Sequence, residues 1–218
     1  MLTRDQIVRA AIEVLDAEGV AGLNMRRLGA QLGSAATAMY HHVESKEQLV
    51  VLAADHVFSE IALPDLHTTK WRDAAAALAR GAYAMITQHF WLIPAMSTHL
   101  IYGPGKARYD EHCLTVYETA GFSEQDADQA AATVLMFVIG AALGEVAQSA
   151  WRARLRHTGM NEEEQLHKAI AYIHEVAQQF PRLRARASSR LDAITQPTEP
   201  AFEFGLRTVL DGLEAQIR

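Results

Sequence analysis

Apolar residues recur at helical spacing along almost the whole chain, and the alternation of Val, Ile and Thr that marks a β-strand is absent from the sequence. The first example places Ile7 and Val14 on one face of a helix. Thr3 and Gln6 stand at the spacing of a capping box, which predicts a helix over residues 3–18. The pattern as a whole predicts an all-α protein of nine or ten helices.

The next three predicted helices are short or closely spaced. Asn24 can cap the second helix, and Gly33 ends it because glycine adopts the left-handed conformation common at helix ends. A third helix follows over about residues 36–42, and Ser45 caps a fourth over residues 45–61. Two helices joined by so short a turn form the helix-turn-helix unit, whose second helix lies in the major groove of DNA.

The rest of the chain predicts a second, larger helical domain. A linker containing Pro64 separates a DNA-binding domain of residues 1–48, the head, from a domain of residues 62–218, the body. The helix of residues 45–61 connects the two. The predicted helices of the body cover about residues 71–89, 93–100, 107–119 and 123–157, then one from residue 161 that Pro181 ends, and a last one from residue 198.

Composition predicts a cytoplasmic protein. Cys113 is the only cysteine, so an intramolecular disulfide cannot form, as suits a reducing compartment. The N-terminus lacks the pattern of a signal peptide. The longest apolar run, residues 130–144, is shorter than the ~18 residues of a membrane-spanning helix. We therefore expect a buried helix there, and no membrane partner.

Charge gives no independent support for DNA binding. The chain has a net charge of −6, and residues 1–48 hold five basic and six acidic side chains. A basic patch is typical of proteins that bind nucleic acids. In this chain Arg26, Arg27 and Lys46 would have to face DNA while the acidic side chains face away.

One set of residues in the first quarter of the chain has a specific order and spacing: Ala11, Gly19, Gly22, Leu23, Arg26, Leu28, Ala30, Leu32, Gly33, Met39, Tyr40, His42, Val43, Lys46 and Leu49. Over residues 3–55 this pattern resembles the N-terminal domain of the TetR family (TetR/AcrR type) of bacterial transcriptional regulators. The resemblance implies a ligand-responsive regulator, with repression as the favoured mode, that a small and mostly apolar molecule releases from a palindromic operator. It implies three partners: double-stranded operator DNA, the small-molecule effector and a second copy in a homodimer.

Eight residues are expected to contact DNA: Arg26, Ala35, Ala36, Thr37, Tyr40, His41, His42 and Lys46. Six of them match family positions that touch DNA; Ala35 and His41 are added because they lie on the outer face of the predicted recognition helix. Many family members carry a polar residue at Ala35 or Ala36, whereas alanine offers only apolar contact. We therefore expect sparse base recognition, with phosphate contacts supplied by Tyr40 and Lys46.

The effector pocket is expected where the fifth to eighth helices converge. Its candidate residues combine aromatic rings, methionines and a few polar groups, a mixture that suits a mostly apolar ligand. They are Leu78, Ala82, Met85, Ile86, His89, Met96, His99, Leu100, Tyr109, Cys113, Tyr117, Met136 and Phe137. Each one alone fits an ordinary core better, so the prediction rests on the set.

Two helices are expected to form the dimer interface. Gly140, Gly144 and Ala147 would let another helix approach closely, although packing within the chain explains them equally well. The last helix carries an apolar stripe that needs a partner: Phe202, Leu206, Val209, Leu210 and Leu213. Two helices from each subunit would then form a four-helix interface.

Two other classes of function were weighed. A di-iron bundle needs two Glu-x-x-His pairs, and the chain has one, Glu164 with His167. We therefore expect no enzyme, no required cofactor and no metal site, although effector recognition could still use a metal bound to His89, His99 or His112. The seven arginines within residues 152–190 would suit an interaction module, and a solvated surface explains them better.

Overall fold

The structure is a computed structural model that describes residues 2–186 and 201–217. The expected all-α architecture is confirmed, and these residues contain no strand. Residues 181–186 are helical as well, and Thr198, where the last helix was predicted to start, lies outside the described residues. The labelled helices are α1 (Arg4–Gly22), α2 (Met25–Gln31), α3 (Ala36–Met39), α4 (Lys46–Ser59), α5 (Trp71–Gln88), α6 (Leu92–Thr98), α7 (Pro104–Ala120), α8 (Glu124–Thr158), α9 (Glu162–Gln178) and α10 (Ala201–Glu214).

Most predicted helix starts carry the expected side-chain caps. The Thr3 hydroxyl accepts the Gln6 amide and the Gln6 side chain accepts the Thr3 amide, which completes the capping box of α1. Asn24, Ser45 and Ser123 cap α2, α4 and α8 in the same way. These bonds satisfy amides that the helix itself leaves without partners.

Three helix boundaries differ from the prediction by three residues or more. Gly19 does not end α1 but kinks it, with φ 70° and ψ −175°, and the helix resumes as far as Gly22. The third helix, α3, ends at Met39 rather than at residue 42, and a turn follows. The seventh helix begins at Pro104, three residues earlier than predicted, because proline in the first turn lacks only an amide that would have no partner there.

A continuous apolar core runs from the head into the body. In the head, α1 packs on α4, with Ile7, Leu15 and Leu49 fully buried between them. In the body, α5, α7 and α8 pack on one another, and α10 covers α5 and α8. The connecting helix α4 also packs along α7, so the head and the body share one core rather than meeting only through a linker.

Helix α8 has a packed face and an open face. Ala130, Val138 and Val146 are buried against the rest of the body. The helix is long and apolar enough to cross a membrane, and 28% of its most apolar window is buried. Core helices of soluble proteins meet the same criterion, so this property is weak evidence for a membrane span.

Candidate functional site

The turn between α2 and α3 has the geometry expected of a helix-turn-helix unit. Gly33 has φ 63°, the left-handed conformation that ends helices. The Gly33 amide donates to the Ala30 carbonyl and the Ser34 amide to the Gly29 carbonyl at 2.8 Å, so the last carbonyls of α2 are satisfied. The recognition helix α3 then begins at Ala36.

The segment from α3 into the following turn has one buried side and one exposed side. Met39 and Val43 are almost completely buried and anchor the segment to the head. Ala35, Thr37 and Tyr40 are exposed, as are His41 and His42 in the turn. The exposed side chains are therefore available to DNA, while Met39 packs in the core.

Two adjacent arginines in the first turn of α2 have different surroundings. Arg27 donates from both terminal nitrogens to Glu18 of α1, at 2.8 and 2.6 Å, and this bond holds the pKa of the Glu18 carboxyl below its usual range. Arg26 is exposed and, within the described residues, forms no side-chain hydrogen bond or ion pair. Arg26 is therefore free to contact a base or a phosphate, whereas Arg27 braces α2 against α1.

Lys46 lies at the start of α4, close to the recognition segment. The Ser45 hydroxyl accepts the Gln48 amide at 3.1 Å, and the Gln48 side chain accepts the Glu44 amide at 2.6 Å. These two bonds fix the turn that leads into α4. Lys46 is partly exposed beside free helix amides, an arrangement that favours contact with an anion such as a phosphate.

The far end of α4 is attached to α7 through what we call the α4–α7 joint, formed by Asp55, Gly105, Lys106 and Arg108. The Asp55 side chain accepts the Lys106 amide at 2.8 Å and so caps the start of α7.

The Arg108 guanidinium donates to the carbonyls of Ser59 and Ile61, at 2.8 Å each, and so caps the end of α4. A Cβ atom on Gly105 would overlap the Asp55 carbonyl oxygen, so only glycine permits this approach.

A second attachment of head to body, the head–body contact, is formed by Asp16, His89 and Trp91. One oxygen of Asp16 lies 2.7 Å from Nδ1 of His89 and accepts the indole N–H of Trp91, also at 2.7 Å. His89 and Trp91 are buried. His89 was predicted to line the effector pocket. In the structure, its ring instead contacts Asp16 and so joins α1 to the α5–α6 turn.

The other two histidines considered as metal ligands also have local partners. Nε2 of His112 lies 2.9 Å from the Pro64 carbonyl, which ties the linker to α7. Nδ1 of His99 lies 2.9 Å from the Thr98 hydroxyl. Across residues 2–186 and 201–217, no group of three or more His, Cys, Asp or Glu side chains lies close enough together to hold a metal ion.

A cleft of about 340 Å³, the α7–α8 cleft, opens in the body. Tyr109, Cys113 and Leu114 line it from α7, and Asp128 and Leu135 line it from α8. Burial raises the pKa of Cys113 to about 11 and raises that of Tyr109 above its usual range, so both groups are neutral at physiological pH. Of the predicted pocket residues, the structure brings Tyr109 and Cys113 to this cleft.

The other predicted pocket residues lie elsewhere. Five are buried in the core among the packed helices, namely Leu78, Ala82, Met85, Ile86 and Tyr117. Met96 is partly buried against the same core. Leu100 and Met136 are 90% and 66% exposed, so they do not line an enclosed pocket within one subunit. The Phe137 ring stacks on Phe202 of α10, 5.6 Å away, because α10 covers that face of α8.

The predicted dimer residues divide between the inside and the outside of the subunit. Gly140, Gly144 and Ala147 lie on the open face of α8, and a Cβ atom on either glycine would meet nothing within 4 Å. The stripe on α10 was assigned to a partner incorrectly. Its residues pack on α5 and α8 of the same chain and are buried there, apart from the partly buried Val209: Phe202, Leu206, Leu210 and Leu213.

Ion pairs between distant residues explain this orientation of α10. Arg80 of α5 donates two hydrogen bonds to Glu203, each 2.8 Å long, and Arg72 pairs with Asp211 and Glu214. Phe204, on the opposite side of α10 from the buried stripe, is left 59% exposed.

Sequence reasoning missed the α4–α7 joint and the head–body contact. Asp55 and Lys106 are 51 positions apart, and Asp16 and His89 are 73 apart, so local spacing gave no signal for either pair. One clue was available. A glycine stands on each side of Pro104, a pattern that can mark the start of a helix that approaches another backbone closely.

A helix-turn-helix head with a free arginine, joined through a connecting helix to a larger helical body with a cleft, defines a class: DNA-binding regulators with a sensing domain. Comparison with known proteins agrees. Residues 7–53 match the family "Bacterial regulatory proteins, tetR family", and residues 63–217 match "Tetracyclin repressor-like, C-terminal domain". The chain belongs to the tetR family, whose members are ligand-responsive DNA-binding transcriptional repressors.

Relatives and solved structures share this organisation. The HTH-type transcriptional repressor DrrR1 of Streptomyces coeruleorubidus is 32% identical over 99% of this chain and 78% of its own length. The class D tetracycline repressor protein of Escherichia coli is 27% identical over 99% of this chain and 91% of its own length. ActR of Streptomyces coelicolor, solved in complex with actinorhodin, superposes with a TM-score of 0.73 at 25% identity, covering 99% of this chain and 97% of that one.

Proposed function

We propose that two copies of this chain form a repressor that binds a palindromic operator and leaves it when a small, mostly apolar molecule occupies the body. The observation that carries the proposal is the exposed side of the recognition segment together with Arg26, whose side chain has no partner among the described residues. A repressor among the relatives and the actinorhodin complex of ActR support the mode of action. The effector of this chain is a separate question.

The mechanism follows from the two attachments between head and body. A ligand shifts an equilibrium only by as much as it prefers one conformation. A ligand between α7 and α8 displaces α7, and the α4–α7 joint transmits that displacement to α4. The head moves with α4, so the spacing of the two recognition segments in a dimer no longer matches successive major grooves.

The dimer is proposed to form through the open face of α8. Five residues at helical spacing line it with small or apolar side chains and are all exposed in the single chain: Met136, Gly140, Leu143, Gly144 and Ala147. Phe204 of α10, a helix that packs on α8, is also exposed. Apolar patches of this kind on a soluble chain mark association surfaces.

Sedimentation analysis tests the dimer. The wild-type chain is expected at twice the monomer mass, and Gly144→Arg is expected at the monomer mass because the charge and bulk prevent close approach of two helices. Ala77→Arg, at an exposed alanine of α5, is the control and should remain dimeric. A wild-type monomer at micromolar concentration contradicts the proposal.

A gel-shift titration with the DNA upstream of the chain's own gene tests operator binding. We expect a specific complex that survives excess unrelated DNA and protects a palindromic site. Binding that weakens steeply with salt and shows no sequence preference would instead indicate only a charged surface. Release of the DNA by a candidate small molecule then tests the sensing function.

We also propose that the chain acts in the cytoplasm as a regulator and not as an enzyme, without a cofactor or a membrane partner. Its family consists of regulatory DNA-binding proteins, which supports this assignment.

A further inference from the structure

Two carboxyl groups line the α7–α8 cleft, those of Asp110 and Asp128. Among the residues described, no basic side chain lines it. Asp110 is already neutralised, because the ammonium group of Lys106 lies 2.6 Å from each of its two oxygens. Asp128 is exposed and forms no hydrogen bond or ion pair within the described residues. The cleft therefore has one uncompensated negative charge at its edge.

The rest of the cleft is suited to a flat or apolar group. Cys113, Leu114 and Leu135 contribute apolar surface, and the neutral thiol of Cys113 adds no charge. Tyr102, in the loop before α7, is 64% exposed at the cleft. The face of an aromatic ring attracts cations, and a carboxylate attracts them independently. Aromatic, apolar and anionic groups thus line the same space.

We propose that the α7–α8 cleft binds organic cations: molecules with an apolar or aromatic body and one positive charge that pairs with Asp128. The proposal rests on the proposed function, because it assigns a chemical class to the effector of that site. Apolar surface in the cleft supplies affinity for the body of the ligand. Asp128 and the face of Tyr102 supply the preference for a cation over a neutral or anionic molecule of the same shape.

Two ions of nearly the same size and opposite charge provide a direct test. Tetraphenylphosphonium and tetraphenylborate are titrated calorimetrically into the full-length chain at low ionic strength, without DNA. The phosphonium ion is expected to bind about tenfold more tightly than the borate, and the preference is expected to shrink as salt is added. Equal binding of the two ions, or a preference for the borate, overturns the proposal.

Matched variants assign the preference to the cleft. Asp128→Asn keeps the shape of the side chain and removes its charge, so phosphonium binding should weaken roughly fivefold. Glu124→Gln removes the same charge from the first turn of α8 but at a residue outside the cleft lining, so it should leave binding unchanged. Equal losses in the two variants would show that net charge alone is responsible, and the assignment to Asp128 would fail.

The calorimetric test of the cation site and the operator-binding test of the proposed function can fail independently of each other. The titration uses protein alone, so it decides the ligand class whether or not the chain binds an operator. A chain that binds its operator and is released by neutral molecules, while showing no preference for the phosphonium ion, is a regulator without a cation site. A chain that prefers the phosphonium ion but binds no specific DNA keeps the cation site and loses the proposed function.

Discussion

The two ends of α4 are held in different ways. Its first turn is capped by Ser45 and Gln48, residues within the same short segment. Its far end is held by Asp55 and Arg108, whose bonding partners are about fifty residues away in the sequence. The first end can thus change with the head alone, whereas the second end cannot move unless α7 moves. In the proposed mechanism, this asymmetry makes α4 the element through which the body controls the position of the head.

The largest expected effect comes from breaking the far end. Gly105→Ala places a methyl group against the Asp55 carbonyl oxygen, where two backbones meet and neither can easily yield. We expect a loss of about 2–3 kcal/mol in the free energy of unfolding, measured by urea denaturation.

Gly212→Ala, at an exposed glycine of α10 outside the proposed dimer face, is the matched control for this substitution. Its new methyl group would meet nothing within 4 Å, and alanine favours a helix interior more than glycine does. The variant should be as stable as the wild type or slightly more stable. If the two variants were equally stable, the close approach of α4 and α7 would not constrain the fold.

A different effect is expected at the head, where exposed side chains are proposed to contact DNA rather than the body. Arg26→Ala should abolish detectable operator binding, because a contact worth about 1–3 kcal/mol is lost in each head of the dimer. The thermal midpoint should hardly change, since Arg26 has no partner among the described side chains. Fluorescence anisotropy with labelled operator and a thermal scan measure the two quantities.

Arg27→Ala serves as the comparison variant. Arg27 is bonded to Glu18, so its loss should weaken the packing of α2 on α1 and leave most of the operator affinity. The assignment of Arg26 as the DNA contact would be falsified if Arg26→Ala bound the operator normally at physiological salt.

The cap on the first turn of α4 and the cap that α4 supplies to the start of α7 permit a finer test. Ser45→Ala and Asp55→Ala each remove one cap, with an expected cost of about 1 kcal/mol. Hydrogen exchange should distinguish them. Ser45→Ala should accelerate exchange only in the first turn of α4, whereas Asp55→Ala should accelerate it at Lys106 and the start of α7. Identical exchange patterns would remove the distinction between a local end and a coupled end.

The smallest expected effect is the pH dependence of stability that Tyr83 gives to the body. The Tyr83 hydroxyl donates to Glu145 at 2.7 Å, and burial, reinforced by Glu145, raises the pKa of Tyr83 from 10.0 to about 12. The unfolded chain therefore loses this proton near pH 10 while the folded chain keeps it, so stability falls as the pH rises from 10 towards 12. Tyr83→Phe should be less stable than the wild type at pH 8, and that difference should narrow across the same pH window.

Urea denaturation at pH 8 and at pH 11 measures that narrowing. Tyr109 and Tyr117, whose pKa values burial also raises, are present in both proteins and do not affect the comparison. A difference that stayed constant with pH would contradict the role given to Tyr83.

The sequence predicted the parts of the fold that depend on near neighbours. The caps at Thr3, Asn24 and Ser45 and the left-handed Gly33 all follow from residues within a few positions of one another. Local side-chain chemistry determines these features.

Features that depend on distant residues were not predictable in this way. The stripe containing Leu206 indicated that one face of α10 must be buried, but amphipathicity does not reveal which surface buries it. In the fold, α5 and α8 of the same chain cover the stripe. Arg80 of α5 pairs with Glu203 of α10 in this orientation. His89 fitted a pocket by its position on α5, and only the folded chain brings Asp16 to its ring.

The bond from Asp16 to Trp91 also gives the molecule an internal optical reporter. The Trp91 indole is completely buried where the head meets the body, and its N–H is bonded to a carboxylate of α1. The emission of an indole depends on that hydrogen bond and on the nearby charge, so a rotation of α1 away from the body changes its fluorescence. With Trp71 and Trp151 replaced by phenylalanine, the orientation of the head can be followed in solution without an attached dye.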